Sequence, residues 1–155
     1  MQFENALRIY FKTIPTMTTI QSDLIIEAIR TFKIPLYSVL VGLQYFDVCF
    51  LNQSTNNYLK LCSALFLGYK NFEDHYYNVK YWCVLTGTPS SSIVRYEIRM
   101  LKKLDYHIHV SRNTIEYILH KIETAVDLPM TPDSQPLFPQ KLLLAQNIKQ
   151  YPLLD

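Results

Sequence analysis

The chain has 155 residues, of which 49% are hydrophobic and 18% charged. This length predicts a single domain, and this composition excludes a disordered tail, a collagen-like repeat and a small disulfide-knotted protein. A net charge of +2, from 15 Lys and Arg against 13 Asp and Glu, gives no bulk electrostatic case for binding nucleic acid or an anionic membrane. With only 3 glycines, folds built on tight hairpins or glycine-rich phosphate loops are disfavoured. We therefore predict an all-α fold.

The first half of the chain predicts four helices. Residues 2–13 form a short helix that Pro15 ends, because proline restricts the residue before it. Residues 18–33 have the apolar spacing of an amphipathic helix. Residues 36–51 and 58–69 are apolar almost all the way round, which is typical of helices in the middle of a bundle. We expect these two to be central, with amphipathic helices packed around them.

The second half predicts three further helices, followed by a proline-rich segment. The first covers residues 79–87, the second begins within residues 88–92 and continues to 106, and the third covers 111–126; residues 107–110 alternate like an extended segment. Gly87 is placed to stop the first of them. The segment 128–155 begins with four prolines in quick succession and predicts a linker or strap, with a final short helix over 141–150.

Three features bear on the cellular setting. The apolar stretch Ile34–Leu51 is 18 residues long but includes Asp47, and a carboxylate in mid-membrane is costly, so a core helix is expected and no membrane partner. The three cysteines, Cys49, Cys62 and Cys83, lie in apolar segments without CxxC spacing, which predicts buried reduced thiols. No basic leader precedes an apolar core at the N-terminus, so we expect a cytoplasmic or nuclear protein.

No catalytic pattern is visible in the sequence. The nucleophile-elbow, dinucleotide, phosphate-loop and zinc-protease motifs do not occur. His107 and His109 could face one way in an extended segment, but no further metal ligand is close in sequence, and exposed histidines are the expected interpretation. Asp74 next to His75 predicts solvated loop residues. We therefore predict no catalytic residue, no metal and no cofactor, and a chain that is not an enzyme.

Asp47 is the most anomalous residue, because it lies in an otherwise apolar helix. An ionised carboxylate there costs several kcal/mol unless it is paired. We expect an ion pair or a cap to a neighbouring helix; Arg30 and Lys33 are the nearest cations that precede it in sequence, and the partner stays open. Lys70 and Glu97, taken singly, are expected to be helix-end or surface charges.

Three segments, read together, resemble the cyclin family. VLVGLQYFDVCFL resembles the cyclin-box helix that runs "L...L.YLDR.L", and KLCSALFLGYK resembles the next helix, which ends "LAASK". VRYEIRMLKKLDYHIHV is similar to "..ME...L..LDY.L.V" in the fifth helix of the box. Their order and spacing agree over roughly residues 18–110. The aromatic-rich passage 71–97 is most similar to fungal phosphate-regulatory (Pho/Pcl-type) cyclins.

The resemblance implies a five-helix cyclin box with a central apolar helix, plus flanking N- and C-terminal helices. The implied organisation is an N-terminal extension over 1–17, the box over 18–110, a C-terminal helix over 111–127 and a proline-rich tail over 128–155. It implies a regulatory subunit that binds and activates a cyclin-dependent protein kinase, and the similarity to Pho/Pcl-type cyclins further implies a Cdk5/Pho85-like kinase.

The resemblance also implies which residues bind the kinase. In the family, a lysine after the third box helix and a glutamate in the fifth bind backbone groups of the kinase; Lys70 and Glu97 match these positions. The matching apolar kinase-facing positions are Leu67, Ile98, Leu101, Leu104, Tyr106 and Ile108.

Some positions depart from the family pattern. Val48 replaces the arginine that follows the aspartate, and Asn71 stands where an aromatic is frequent. The first helix lacks the "MRAIL" motif that docks substrates in other cyclins. Two alternatives stay open: a cyclin-fold protein-interaction adaptor that activates no kinase, and a small helical enzyme with an unrecognised site.

Overall fold

A computed structural model describes residues 2–50, 53–73 and 78–127. Within these ranges the chain forms seven α-helices and no strand, which confirms the all-α prediction. The helices are α1 Gln2–Phe11, α2 Thr19–Phe32, α3 Leu36–Phe50, α4 Asn57–Phe72, α5 Val79–Thr86, α6 Ser90–Lys103 and α7 Arg112–Asp127. The predicted proline-rich tail, and the short helix predicted within it, lie outside the described residues.

Local capping chemistry sets several of the helix ends. Thr18 and Gln21 form a capping box at the start of α2, in which each side chain accepts a hydrogen bond from the other residue's backbone N–H. Asn78 caps α5, and Gly87 ends that helix in the left-handed conformation at φ 67°, as predicted. These caps satisfy backbone groups that the helix ends leave free.

The helices α3 and α4 form the centre of the fold. Most residues of both are buried, and their mutual contact is the most extensive between any two helices. Gly42 and Gly68 lie where the backbones cross: a Cβ at Gly68 would come within 2.7 Å of the carbonyl oxygen of Ser38. The two glycines therefore permit an approach that no other residue allows. The expectation of two central apolar helices is confirmed.

The other five helices pack around this pair, each against the next, in the order α7, α1, α2, α5 and α6. Trp82 of α5 is fully buried; its ring stacks on Phe66 of α4 and meets Phe32 of α2 edge-on. Its indole N–H donates to the carbonyl oxygen of Cys62 at 3.2 Å. One aromatic cluster thus joins α2, α4 and α5.

Asp47 is held by an ion pair to a neighbouring helix, as expected. Its partner is Lys121 of α7, with Nζ 2.8 Å from Oδ2, and is neither of the cations nearest in sequence. Arg30 instead pairs with Glu4 and Glu27. The helix α7 lies against α3, so packing brings together charges that are 74 residues apart.

The three cysteines are free and buried, which confirms the prediction of buried reduced thiols. Burial raises the pKa of Cys49, Cys62 and Cys83 above the ordinary range for a thiol. A thiol that resists ionisation is a poor nucleophile. All three therefore contribute to packing.

Candidate protein-binding site

Lys70 and Glu97 meet at the surface where α4 packs against α6. Lys70 lies in the last turn of α4 and Glu97 in the middle of α6, and the Lys70 ammonium is ion-paired with the Glu97 carboxylate. The ammonium also lies 5.3 Å from the centre of the Phe66 ring. The lysine side chain is 26% exposed and the glutamate side chain 12%. Two residues 27 positions apart thus form one charged pair that solvent can reach.

The apolar residues predicted around this pair fall into three groups by exposure. Ile98 and Tyr106 are exposed, at 46% and 64%. Leu101, Leu104 and Ile108 are half-buried and pack against the core with one side. Leu67, at 2% exposure, lies in the core itself. The half-buried residues are fixed against the core, and the exposed residues provide apolar area that a partner can cover.

Helical geometry places several of these residues on one face. Leu101 and Leu104 follow Glu97 by four and seven residues, the spacing that aligns side chains along one side of a helix. Ile98 lies beside them, on the more exposed flank. The charged pair therefore lies at one end of an apolar stripe on α6.

The backbone after α6 turns sharply and presents Tyr106. Asp105 and Tyr106 are both in the left-handed conformation, at φ 52° and 59°. Two hydrogen bonds close the turn: the Tyr106 N–H donates to the Leu101 carbonyl at 2.8 Å, and the His107 N–H donates to the Leu104 carbonyl at 3.0 Å. Tyr106 is directed outward by this backbone arrangement while its ring stays mostly exposed.

Tyr45 of α3 holds the segment after the turn against the bundle, a role that the sequence did not predict. Its hydroxyl donates to the carbonyl oxygen of Ile108 at 2.5 Å and accepts a hydrogen bond from Asn71 Nδ2 at 3.3 Å. Burial raises the pKa of Tyr45 to about 12, although the Asn71 bond opposes the shift. Asn71 follows Lys70 directly, so this hydroxyl links the end of α4 to the segment at Ile108. A tyrosine inside an apolar helix was the only available signal.

Basic residues surround a shallow groove that continues from Ile98 along α6 toward the start of α5. The groove has a volume of about 680 Å³. Val94 and Ile98 form its apolar floor, and both are exposed. Among the residues that the structure describes, those with charged side chains that line it are all cationic: Lys80, Arg95, Arg99 and Lys102. Such a groove suits an acidic partner surface that also carries apolar side chains.

Within the described ranges, no three His, Cys, Asp or Glu residues come close enough together to hold a metal ion. His107 and His109 are both exposed. Asp74 and His75 lie outside the described residues. Among the helices described, none is both long and apolar enough to cross a membrane.

Comparison with known proteins gave no match: no family model fits this chain, and neither the curated proteins nor the solved structures include a significant relative.

Proposed function

We propose that this chain is a cyclin-like regulatory subunit that binds and activates a cyclin-dependent protein kinase. In this proposal the helices α2 to α6 form the five helices of a cyclin box over residues 18–110, and α1 and α7 flank it. The observation that carries the proposal is the Lys70–Glu97 pair, which two different helices bring to the surface beside exposed apolar residues. The sequence resemblance assigned kinase contact to these same two positions.

The pair has hydrogen-bonding capacity left for a partner. A lysine ammonium has three donors and a carboxylate has two acceptor oxygens, and their mutual bond uses only part of these. A kinase backbone carbonyl can bond to Lys70 and a backbone N–H to Glu97. Hydrogen bonds to charged groups contribute about 1.5–3 kcal/mol each. Because the pair is already assembled in the free chain, little side-chain ordering is needed on binding.

The apolar stripe supplies the buried centre that such an interface needs. Ile98 and Tyr106 are the exposed anchors, and Leu101 and Leu104 support them. Interfaces concentrate their binding energy in a few apolar or aromatic side chains that are surrounded by polar groups. Contact here would hold the kinase's regulatory helix in its active position, which completes the catalytic Lys–Glu pair of the kinase.

The basic groove indicates the charge of the partner. Four cations border it, and within 2–50, 53–73 and 78–127 no acidic side chain lines it. An acidic segment of the kinase or of its substrate would be attracted to this side of α6. Such complementarity mainly raises the association rate and weakens with salt.

The test is capture of purified cyclin-dependent kinases by this chain, with kinase activity measured on each captured complex. We expect one kinase to be captured and activated, and Glu97→Ala or Lys70→Ala to reduce binding at least 10-fold, which is about 1.4 kcal/mol. Glu4→Ala is the matched control. It removes a carboxylate of similar exposure, 13% against 12%, from another interhelical ion pair. Circular dichroism should show the same helix content for each variant.

The results separate the proposal from its alternatives. Capture without activation indicates the adaptor and overturns the regulatory role. Normal activation by the Lys70→Ala, Glu97→Ala double variant overturns the assignment of the site. If Glu4→Ala weakens binding as much as Lys70→Ala or Glu97→Ala does, the loss of binding results from general destabilisation.

A further inference from the structure

The exposed face of α6 carries two parallel rows of side chains, one apolar and one cationic. Val94 and Ile98 form the apolar row, and they are 42% and 46% exposed. Arg95, Arg99 and Lys102 form the cationic row, at the i, i+4 and i+7 positions of one helix face. Each arginine directly follows an apolar residue, so the two rows run side by side. All five residues line the basic groove of about 680 Å³.

The cations of the groove have no carboxylate partner among the described residues. Lys80 of α5 adds a fourth cation to the cationic row. Within residues 2–50, 53–73 and 78–127 none of the four forms an ion pair, and all are exposed. The guanidinium groups of Arg95 and Arg99 each lie 5.5 Å from the centre of the buried Tyr96 ring. Two like charges are thereby brought to one ring, and a carboxylate that bonds to both would relieve their repulsion.

The start of α6 also favours a negative group. Ser90 and Ser91 line the groove there and are exposed. The N-cap residue is Pro89, which makes no side-chain cap hydrogen bond, so the first-turn N–H groups lack the partner that a capping side chain supplies. The positive end of the helix dipole lies at the same place. The groove is therefore complementary to negative charge from the start of α6 to Lys102.

The spacing of the two rows fits an extended peptide. Successive members of the apolar row are four residues apart, which is about 6 Å along the helix axis. Alternate side chains of an extended chain point to opposite sides, and those on one side repeat at about 6.6–6.8 Å. One side of such a chain can therefore face Val94 and Ile98 while the other faces the cationic row. The apolar row is a single side chain wide, which suits an extended chain better than a helix of about 10–12 Å diameter.

From these observations we propose that the groove docks an extended segment of a partner protein, about five residues long, in which acidic and apolar residues alternate. The groove follows α6 from Ser91 to Lys102, about 16 Å at the rise of a helix, and five extended residues span about the same length. The acidic side chains pair with the cationic row, and the apolar side chains cover the apolar row. The inference does not depend on the proposed kinase partnership, because the chain alone forms the groove.

Four matched peptides with blocked ends test the proposal on the full chain by ¹H–¹⁵N NMR titration. The parent peptide has the core Glu-Leu-Glu-Leu-Glu. Gln-Leu-Gln-Leu-Gln removes the charge, Glu-Ser-Glu-Ser-Glu removes the apolar side chains, and Glu-Glu-Glu-Leu-Leu keeps the composition without the alternation. We expect saturable shifts at residue 80 and over 91–102 with the parent. The first two controls should bind at least about 10-fold more weakly and the third about 3-fold more weakly. Added salt should weaken parent binding, because exposed charges are screened.

Substitutions in each row use residues to which the kinase proposal assigns no contact. Arg99 and Val94 are exposed, so Arg99→Glu and Val94→Ser should leave the fold intact, which circular dichroism checks. We expect parent binding to weaken at least about 10-fold in Arg99→Glu and about 3-fold in Val94→Ser. Lys12→Glu is the control, because it makes the same charge reversal at an exposed residue outside the groove. Binding there should stay within about 2-fold of the unmodified chain.

Several results would overturn the proposal. They are equal binding of the parent and the non-alternating peptide, an equal loss in Lys12→Glu and Arg99→Glu, and no saturable shift at millimolar peptide. Equally tight binding of a plain polyglutamate peptide would show only a non-specific basic surface. If the chain alone sediments as a dimer that Arg99→Glu dissociates, a second copy occupies the groove and the proposal is wrong. Because no kinase is present, none of these results decides the kinase assignment.

Discussion

Replacing Gly68 with alanine tests how closely the two central helices must approach. A Cβ at this position would lie 2.7 Å from the Ser38 carbonyl oxygen and 2.8 Å from the Gly42 backbone nitrogen. Both obstacles are backbone atoms, so no side-chain rotation can relieve the overlap. The helices α3 and α4 must move apart by several tenths of an ångström, in an interior packed to crystal density.

The expected free-energy change is the difference of two terms. Overpacking of a tight core costs about 1–3 kcal/mol, and more where backbones must move. Alanine has a higher helix propensity than glycine, which stabilises the helix by about 1 kcal/mol. Because the clash lies at the most extensive helix contact, we take the upper end of the cost and expect Gly68→Ala to lower the free energy of unfolding by about 2 kcal/mol. In a chain of this size that corresponds to a fall in Tm of about 4–8 °C.

The assay is urea unfolding followed by circular dichroism and by the fluorescence of Trp82, the single tryptophan. Gly87→Ala is the control, because a Cβ there meets nothing within 4 Å and only the left-handed backbone at φ 67° is strained. We expect a loss of about 1 kcal/mol there. If Gly68→Ala proves as stable as the unmodified chain at an unchanged m-value, the argument from close approach is refuted.

Three further predictions concern buried polar groups. Tyr45→Phe should cost about 1–2 kcal/mol and speed amide exchange around Ile108, because two hydrogen bonds to the hydroxyl are lost. Since the pKa of Tyr45 is raised to about 12 from about 10 in an unfolded chain, its contribution to stability is fully present below pH 10. As the pH rises from 10 through 12, the cost of ionising the buried hydroxyl lowers the free energy of unfolding by up to about 3 kcal/mol, so stability should fall less steeply with alkaline pH in Tyr45→Phe. A double-mutant cycle with Asp47→Ala and Lys121→Ala should give a coupling energy of about 1 kcal/mol, above that of most exposed pairs, because Asp47 is only 14% exposed.

Each of these predictions has a result that would contradict it. Unchanged exchange at residues 107–109 in Tyr45→Phe would show that the hydroxyl does not hold the segment. The free energy of unfolding is measured by guanidinium titration at pH 8 and at pH 11. If it falls by the same amount between the two pH values in Tyr45→Phe and in the unmodified chain, Tyr45 does not contribute to the pH dependence. A coupling energy near zero for the Asp47–Lys121 cycle would place that pair among the weak surface ion pairs.

The sequence was sufficient to predict the helices because periodicity and capping are local. The apolar stretches predicted the buried helices α3 and α4, and Gly87 marked the end of α5. The start of α6 at Ser90 falls within the predicted range, and the error lies at the other end, because α6 ends at Lys103 and not at 106. The chain turns after Lys103 through two left-handed residues, and apolar spacing carries no information about such a turn.

Long-range pairing could not be predicted, because a hydrophobic stripe shows which face is buried but not which helix covers it. The sequence left the partner of Asp47 open, and packing supplies it as Lys121 of α7. The Tyr45–Ile108 bond spans 63 residues and has no sequence signature. The adjacency of Lys70 and Glu97 was foreseen only through a family resemblance, since neither residue differs in type or setting from an ordinary surface charge.

At the turn formed by Asp105 and Tyr106, the backbone determines where the side chain of residue 106 points, while the side chain itself contributes little to folding. The direction of the Tyr106 side chain is set by backbone hydrogen bonds to Leu101 and Leu104, while the residue is 64% exposed. Another aromatic side chain at position 106 would be presented in the same direction at little cost in stability. Partner preference could therefore change through this one residue, by natural variation or by design, while the bundle beneath it stays the same.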